Sequence, residues 1–155
     1  MKILTIVAAL LMLGAGAAWA QNDRIGNIEV SNPWAPATGS VLTNTAVYLS
    51  LTDVGTKADE LTGASTAVAQ KTELHVFDVK DGVYGMHKVD GIAVTPGSAA
   101  TVLRPGGAHV MLESLKRPLR AGTTFPLTLD FQRAGQLQVE VRVESPQAAV
   151  ANAND

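Results

Sequence analysis

Short segments in which apolar and polar residues alternate run through much of the chain. The clearest lies near the C-terminus, where every second position is apolar: Leu137, Val139, Val141 and Val143. Because successive side chains of a β-strand point to opposite faces, this pattern predicts a strand with one buried and one solvated face. Comparable strands are predicted at residues 28–31, 46–51, 72–79, 83–89, 99–103, 108–112, 124–131 and 136–143.

Turn-forming residues separate the predicted strands. Asp81-Gly82 lies between two of them, and an Asp-Gly pair in this position is the strongest local signal for a β-hairpin. Many short strands at this spacing predict an all-β domain, either an antiparallel sandwich or a barrel. The only helical segments predicted are short, at residues 64–70 or, as a single turn, at residues 114–117.

The N-terminus has the pattern of a secretory signal peptide. Lys2 precedes an apolar segment at residues 3–13, and small residues ending in Ala18-Trp19-Ala20 follow it. This pattern predicts cleavage after Ala20, since the apolar segment is shorter than the ~20 residues of a membrane-spanning helix. We expect a signal peptide at residues 1–20, a soluble exported domain at 21–144 and a disordered tail at 145–155. In a Gram-negative bacterium the product would be periplasmic.

Composition excludes several classes of function. The chain has 155 residues, enough for one domain, and its 46% of hydrophobic residues excludes intrinsic disorder. A formal net charge of −2 gives no support to nucleic-acid binding, which needs a basic face. The sequence has no cysteine, which excludes disulfides, zinc–thiolate sites, iron–sulfur clusters and blue-copper centres.

Two histidines and two methionines form the most informative pattern in the chain. They are His75, Met86, His109 and Met111, and these two methionines are the ones left after signal-peptide cleavage. His109 and Met111 are two positions apart and therefore share one face of a strand. The spacing thus predicts that at least one His and one Met point the same way.

A two-residue turn at Asp81-Gly82 determines which side chains of the predicted hairpin share a face. It pairs Phe77 with Met86, and His75 lies on the face of Phe77, diagonally across from Met86. His87 falls on the opposite face. The hairpin therefore predicts that His75 and Met86 are within reach of one another and that His87 is separate from them.

The chemistry of these donors favours a soft metal ion. Thioether sulfur is a soft, neutral ligand that suits Cu(I), whereas zinc takes Cys, His or carboxylate and calcium takes oxygen. The same residues also have an ordinary structural interpretation, because Met fills gaps in cores and a His is often a hydrogen-bonded polar group. From spacing alone, both interpretations stay open.

Several longer motifs add a family resemblance. The segment LRPGGAHVML at residues 103–112, together with TELH at 72–75, NPWA at 32–35 and LKRPL at 115–119, resembles the periplasmic copper chaperone family PCu(A)C. The similarity spans most of residues 28–143. It implies a cupredoxin-like Greek-key antiparallel β-sandwich, in a single domain, that lacks the cupredoxin cysteine.

The resemblance also implies a function. One Cu(I) per chain is expected to be bound by His75, Met86, His109 and Met111 in a monomer. Ligand exchange would deliver it to the copper-bearing subunit of cytochrome c oxidase, at its Cu(A) centre or another copper site. A thioredoxin-like protein would be the copper donor. No catalysis is implied, and the sequence has no Gly-x-Ser-x-Gly motif of a serine hydrolase.

Three more residues have predicted roles beside the metal. Family members often carry Met at the position of Phe77, and this ring is expected to shield the ion. Glu73 and Glu113 are candidates for orienting an imidazole, with solvated strand charges as the ordinary alternative. Residues 144–155 contain no His or Met, so no second, Cu(II) site is expected in the tail.

Two other functions fit the sequence. A copper storage or detoxification protein would use the same four ligands and differ in the recipient of the metal. An exported β-sandwich that binds partners without metal would make the His and Met pattern a coincidence. It predicts that replacing His75 or His109 is functionally silent.

Overall fold

Eleven β-strands and one short helix form from residues 23–97 and 99–152, which are the residues described by the computed structural model. The predicted signal peptide at residues 1–20 lies outside the described residues, as do residues 153–155 of the predicted tail. Within the described part, no helix is long and apolar enough to cross a lipid bilayer. The elements are β1 (Asp23–Ile25), β2 (Ile28–Pro36), β3 (Thr45–Asp53), β4 (Asp59–Ser65), β5 (Ala69–Lys80), β6 (Val83–Val89), β7 (Ile92–Val94), β8 (Thr101–Leu103), β9 (His109–Leu115), β10 (Thr124–Phe131), β11 (Gly135–Glu144) and α1 (Pro146–Asn152).

Hydrogen bonds join most of the strands into one continuous path. Its order is β6-β5-β9-β3-β2-β11-β10-β4-β7, with β1 added beside β2 and β8 beside β3. Among the described strands, β11 runs parallel to β2 and the other pairs are antiparallel. The first part of β3 pairs with β9 and the later part with β8, so β3 connects the two halves of the fold.

Strand alternation produces the core. Val47, Leu49 and Leu51 of β3 are buried, whereas the residues between them are half-buried. One cluster of buried side chains contains residues from strands near both ends of the path, for example Leu61 of β4 and Leu74 of β5. The strands therefore enclose a shared core, and the predicted all-β fold is confirmed.

Each segment predicted as a strand contains an observed strand, but β1, β4 and β7 were not predicted. The case of β4 shows why, because it begins with a charged residue that is nevertheless buried. Asp59 is 7% exposed and accepts hydrogen bonds from the backbone N–H groups of Arg133 (2.9 Å) and Ala134 (2.8 Å). A carboxylate that fixes a distant turn does not follow the apolar alternation that predicts strands.

The helix predicted at residues 64–70 is wrong, and so is the helical turn at residues 114–117. A tight turn leads from β4 to β5, where Ala69 pairs with Leu115 of β9. Ser114 belongs to β9 and has a φ of 54°, and its N–H donates to Oδ1 of Asn44 at 3.0 Å. Long-range strand pairing therefore outweighs the local preference in both segments.

The tail also differs from the prediction, because residues Pro146–Asn152 form α1 instead of being disordered. Ser145 caps this helix: its Oγ accepts from the N–H of Ala148 at 3.3 Å, and its carbonyl accepts from the N–H of Ala149 at 2.8 Å. Proline suits the first helical position, and alanine is the best helix former. A capped, alanine-rich turn forms here without the apolar period on which the sequence prediction relied.

The β5–β6 hairpin has the predicted register. Phe77 is paired with Met86 across the ladder. Asp81 and Gly82 have positive φ angles of 54° and 78°. Positive φ at both central residues is the requirement of a type I′ turn, whose twist matches that of the flanking strands. The Asp-Gly pair therefore determines which side chains of the hairpin share a face.

The hairpin extends past the strand that supports it. The β5–β9 ladder ends at the pair His75–His109, whereas the β5–β6 ladder continues to the pair Lys80–Val83. Within the described residues, the outer part of β5 pairs with β6 alone. It thus forms a two-stranded ribbon that projects beyond β9.

Candidate metal centre

His75 and His109 form the middle of the candidate site. They are directly opposed as the last pair of the β5–β9 ladder, and their ring centroids lie 5.7 Å apart. Both residues are buried, with 7% and 4% of their surfaces exposed. Metal–imidazole bonds are ~2 Å long, so two rings at this separation are close enough to bind one ion.

The two methionines lie on the same face of the sheet as these imidazoles. Met111 follows His109 by two positions and is paired with Glu73, and Met86 is paired with Phe77 across the hairpin. Met111 is half-buried, whereas Met86 is 43% exposed. The strand register therefore brings the four sequence-predicted residues to one face, around the end of the β5–β9 ladder.

His87 is separate from this group, as the sequence predicted. It is paired with Val76, on the face of the hairpin opposite to that of Met86. For His87 to bind the same ion, β6 would have to turn its other face towards His75 and His109. The neighbour of Met86 in the sequence is thus on the wrong side of the sheet.

The ring of His109 is held neutral with one nitrogen available. Its Nδ1 lies 3.0 Å from the carbonyl oxygen of Gly107, and because a carbonyl only accepts, Nδ1 carries the hydrogen. Burial lowers the pKa of His109 below its usual 6.5. It outweighs the hydrogen bond to Gly107, which raises the pKa, and the Coulomb interaction with His75 also lowers it. The lone pair of Nε2 is therefore free near neutral pH, as metal binding requires.

His75 has the opposite arrangement of its two nitrogens. Its Nε2 lies 3.0 Å from Oε2 of Glu73. Its Nδ1 is buried and has no hydrogen-bond partner among the described residues. An unpaired buried polar atom is costly, and such atoms call for an explanation in function or an unseen ion. Here a bound cation would satisfy it.

Glu73 is the centre of a charged network beside the imidazoles. Its Oε1 accepts from the ammonium groups of Lys71 (2.8 Å) and Lys88 (3.1 Å). The pKa of Glu73 is lowered to about 2. The hydrogen bond from Lys71 is the largest cause, followed by those from His75 and Lys88. The carboxylate is therefore ionised at any pH at which the protein is handled.

Glu113 contacts this network rather than an imidazole. Its Oε2 lies 3.2 Å from the ammonium of Lys71, which thus bridges the two carboxylates. Ligand atoms of Glu73, His75 and Glu113 lie within 4.8 Å of one another, a spacing that could hold a cation. The lysine ammonium already supplies that positive charge. Glu73 and Glu113 were both predicted to orient an imidazole. Glu73 lies within hydrogen-bond distance of the His75 ring, whereas Glu113 contacts Lys71.

Aromatic rings surround the imidazole pair. The centroid of Phe77 lies 6.0 Å from that of His109, and the centroid of Tyr48 lies 6.3 Å from it on another side. Trp34 packs against Tyr48 at 4.8 Å and is 4% exposed, so it supports the site from within the fold. Phe77, the residue predicted to shield the ion, has 36% of its surface exposed.

Sequence reasoning missed Lys71, Lys88 and Tyr48. Lys71 could have been found, because positions 71, 73 and 75 alternate onto one face of a strand. The position of Tyr48 beside His109 depends on the pairing of β3 with β9, which joins residues 63–67 positions apart and leaves no local signal. The candidate donors are two imidazole nitrogens and two thioether sulfurs. This set carries no negative charge, and soft ligands of this kind select Cu(I) over harder ions.

Comparisons with known proteins identify the family and the fold of the chain. The model of the LpqE-like family ("Putative lipoprotein LpqE-like") matches residues 28–143. The chain is 30% identical to "Putative lipoprotein Lxx21020" of Leifsonia xyli subsp. xyli, over 96% of this chain and 92% of that protein.

Two solved structures share the fold. The copper-bound PCuAC domain from PmoF2 has a TM-score of 0.70 at 24% identity, covering 81% of this chain and 99% of that domain. The solution structure of CuI-DR1885 from Deinococcus radiodurans has a TM-score of 0.62 at 29% identity, covering 84% and 85%. The family match and the shared fold bear out the resemblance that the motif around His109 suggested. The chain therefore belongs to the LpqE-like family, with the fold of the PCuAC domains.

Proposed function

We propose that the protein is a copper chaperone that carries one Cu(I) bound by His75, Met86, His109 and Met111. The observation that carries the proposal is the pair of buried, opposed imidazoles with a thioether-bearing residue on each side of it. Two nitrogen donors are offered by Nδ1 of His75, which has no hydrogen-bond partner in the described part of the chain, and by Nε2 of His109, whose Nδ1 bonds to Gly107. The copper-bound relatives with this fold support the choice of metal.

The uneven exposure of the ligands suits a carrier. Met86 is partly exposed while both histidines are buried, so a partner can reach the ion from the side of Met86. A thioether is a weak, neutral ligand, and we infer that a ligand from the partner displaces methionine first. Transfer then proceeds through a complex in which the two proteins share the ion.

The recipient and the cell compartment complete the proposal. The family resemblance supports delivery to the copper-bearing subunit of cytochrome c oxidase, with a thioredoxin-like protein as copper donor. The N-terminal sequence and the lipoprotein names of the relatives support export, to the periplasm in a Gram-negative cell. A monomer with one ion is sufficient for this function. Storage or detoxification would use the same ligands without a recipient.

An anaerobic Cu(I) titration against a chromophoric chelator tests the proposal. The chain without its predicted signal peptide should bind one equivalent tightly, and the M86L/M111L double variant should lose most of that affinity. His87→Ala is the matched control, because it removes an imidazole from the opposite face and should bind like the wild type. No competition with the chelator, or equal binding by the double variant, would show that these residues only pack.

Transfer distinguishes a chaperone from a store. Loaded protein is mixed anaerobically with the soluble copper-binding domain of an oxidase subunit. The two proteins are separated at timed intervals and the copper bound to each is measured. A chaperone releases Cu(I) faster to this domain than to a chelator of equal affinity, since docking assists the exchange. Retention of the ion in the presence of the domain favours storage.

A further inference from the structure

The two histidines of the site present different nitrogens, and this difference has a specific structural cause. On His109, Nδ1 is engaged by the carbonyl of Gly107, so Nε2 is free. On His75, Nε2 is engaged by Glu73, so Nδ1 is free and buried without a partner among the described residues. Which nitrogen can bind a metal is set by the hydrogen bond that the other nitrogen makes.

We infer that Glu73 is a positioning residue: it accepts the Nε2–H of His75 and thereby makes Nδ1 the metal-binding nitrogen, while His109 binds through Nε2. The inference rests on the proposed function, because it assigns ligand atoms within the same site. It adds a mixed Nδ1/Nε2 coordination and a residue that enforces it. A carboxylate behind a ligating histidine fixes the tautomer and the ring orientation and raises the basicity of the ligand.

The position of Glu73 suits this task. It lies two residues before His75 on the same strand and therefore on the same face. Its side chain is 11% exposed, and Lys71 and Lys88 hold its other oxygen at 2.8 and 3.1 Å. One oxygen is thus anchored by two ammonium groups while the second faces the imidazole. An anchored acceptor can hold a ring in one orientation, whereas a freely rotating carboxylate cannot.

The same contacts argue against Glu73 as a direct ligand. Both of its oxygens are engaged, one by the lysines and the other by the imidazole that would bind the ion. Carboxylate oxygen is also a hard donor, which fits Cu(I) poorly. The role left for Glu73 is to act through His75.

The test measures the tautomer of His75 in the metal-free protein and, separately, its Cu(I) affinity. Long-range ¹H–¹⁵N NMR, at a pH where the rings are neutral, reports which nitrogen carries the hydrogen. Wild type should show Nε2–H on His75 and Nδ1–H on His109. Glu73→Ala should shift His75 towards Nδ1–H and weaken Cu(I) binding about 10–100-fold, the usual cost of losing such a partner.

Two further variants separate positioning from charge and from folding. Glu73→Gln keeps an oxygen acceptor for Nε2–H and should retain the wild-type tautomer with a much smaller loss of affinity. Glu113→Gln removes a carboxylate of the same network that contacts Lys71, and should match wild type in both measurements. If Glu73→Ala fails to fold, the Glu73→Gln comparison and the wild-type tautomer still decide the question.

The possible outcomes are distinct. Nδ1–H on His75 in the wild type would overturn the inference, as would an unchanged tautomer and affinity in Glu73→Ala. If Glu73→Gln loses as much affinity as Glu73→Ala while its tautomer stays wild type, Glu73 acts by charge or as a ligand, and the inference fails. If the wild type binds no Cu(I), the proposed function fails, whereas the tautomer result still tests the Glu73–His75 contact independently.

Discussion

Phe77 lies directly opposite Met86 across the β5–β6 hairpin, and its ring centroid is 6.0 Å from that of His109. The ring covers one side of the imidazole pair. Because it is itself 36% exposed, it is a partial cover and not a sealed lid. A phenyl ring has no donor atom for a metal, so the role we expect of Phe77 beside the proposed site is to shield it.

Replacing Phe77 by Ala should speed Cu(I) capture by an external chelator and leave the affinity nearly unchanged, because the ring shields but does not coordinate. Stopped-flow absorbance of the chelator complex measures the rate. Tyr84→Ala is a suitable control: Tyr84 stacks on Phe77 at 6.0 Å but is 66% exposed, so its loss should matter less. Slower release from the Phe77 variant would contradict the shielding role.

The lowered pKa of His109 predicts how stability depends on pH. Above about pH 6.5 the ring is neutral in both the folded and the unfolded chain. Below that pH the unfolded chain takes up the proton first, so the free energy of unfolding falls until the lower, folded-state pKa is passed. Denaturant titrations of the metal-free protein across this range should show the decrease. His109→Gln should flatten it, and a decrease of equal size in that variant would assign it to another group.

Leu74 links the core to the site, since it is 3% exposed, sits between Glu73 and His75, and is paired with Val110. Leu74→Ala should lower the free energy of unfolding by about 2–5 kcal/mol, the usual cost of this change in a packed core. Chemical denaturation measures it. Val79→Ala, on the same strand but 66% exposed, should change stability by less than about 0.5 kcal/mol. Equal effects would mean that the inner part of β5 is not packed as described.

Gly82 has a φ of 78°, and a Cβ placed there would meet no atom within 4 Å. Gly82→Ala therefore costs only backbone strain, about 1–2 kcal/mol. The variant should show faster amide hydrogen exchange across the outer hairpin. Its Cu(I) affinity should also be lower, because Met86 lies on this hairpin. Gly85→Ala tests the explanation, because Gly85 is a strand residue outside the positive-φ set. Matching effects of the two substitutions would exclude turn strain as the cause.

Local signals were sufficient to predict the hairpin. The Asp81-Gly82 turn has two residues, and once its length is known, strand alternation determines that Phe77 meets Met86 and that His87 faces away. Each of these pairs is separated by few residues in the sequence. The prediction needed no knowledge of the rest of the fold.

The meeting of His75 with His109 could not be predicted in the same way. It depends on the register of β5 against β9, which no tight turn controls, and on the network of Lys71, Glu73 and Lys88 that forms beside it. The family motif indicated the four residues, but not that the two rings are directly opposed. Helix α1 was missed for a related reason, because a cap at Ser145 stabilises it without an apolar period.

The projection of the hairpin beyond β9 has a consequence for how an ion would leave the proposed site. His75, His109 and Met111 lie on strands that are hydrogen-bonded on both sides, whereas Met86 lies on β6, an end strand of the path. Fraying of an end strand requires much less free energy than global unfolding. If the four proposed residues bind the ion, local fraying of β6 would reduce the coordination number from four to three by removing Met86. The rate of metal exchange would then depend on how often the ribbon opens locally, and only weakly on the free energy of unfolding of the whole domain.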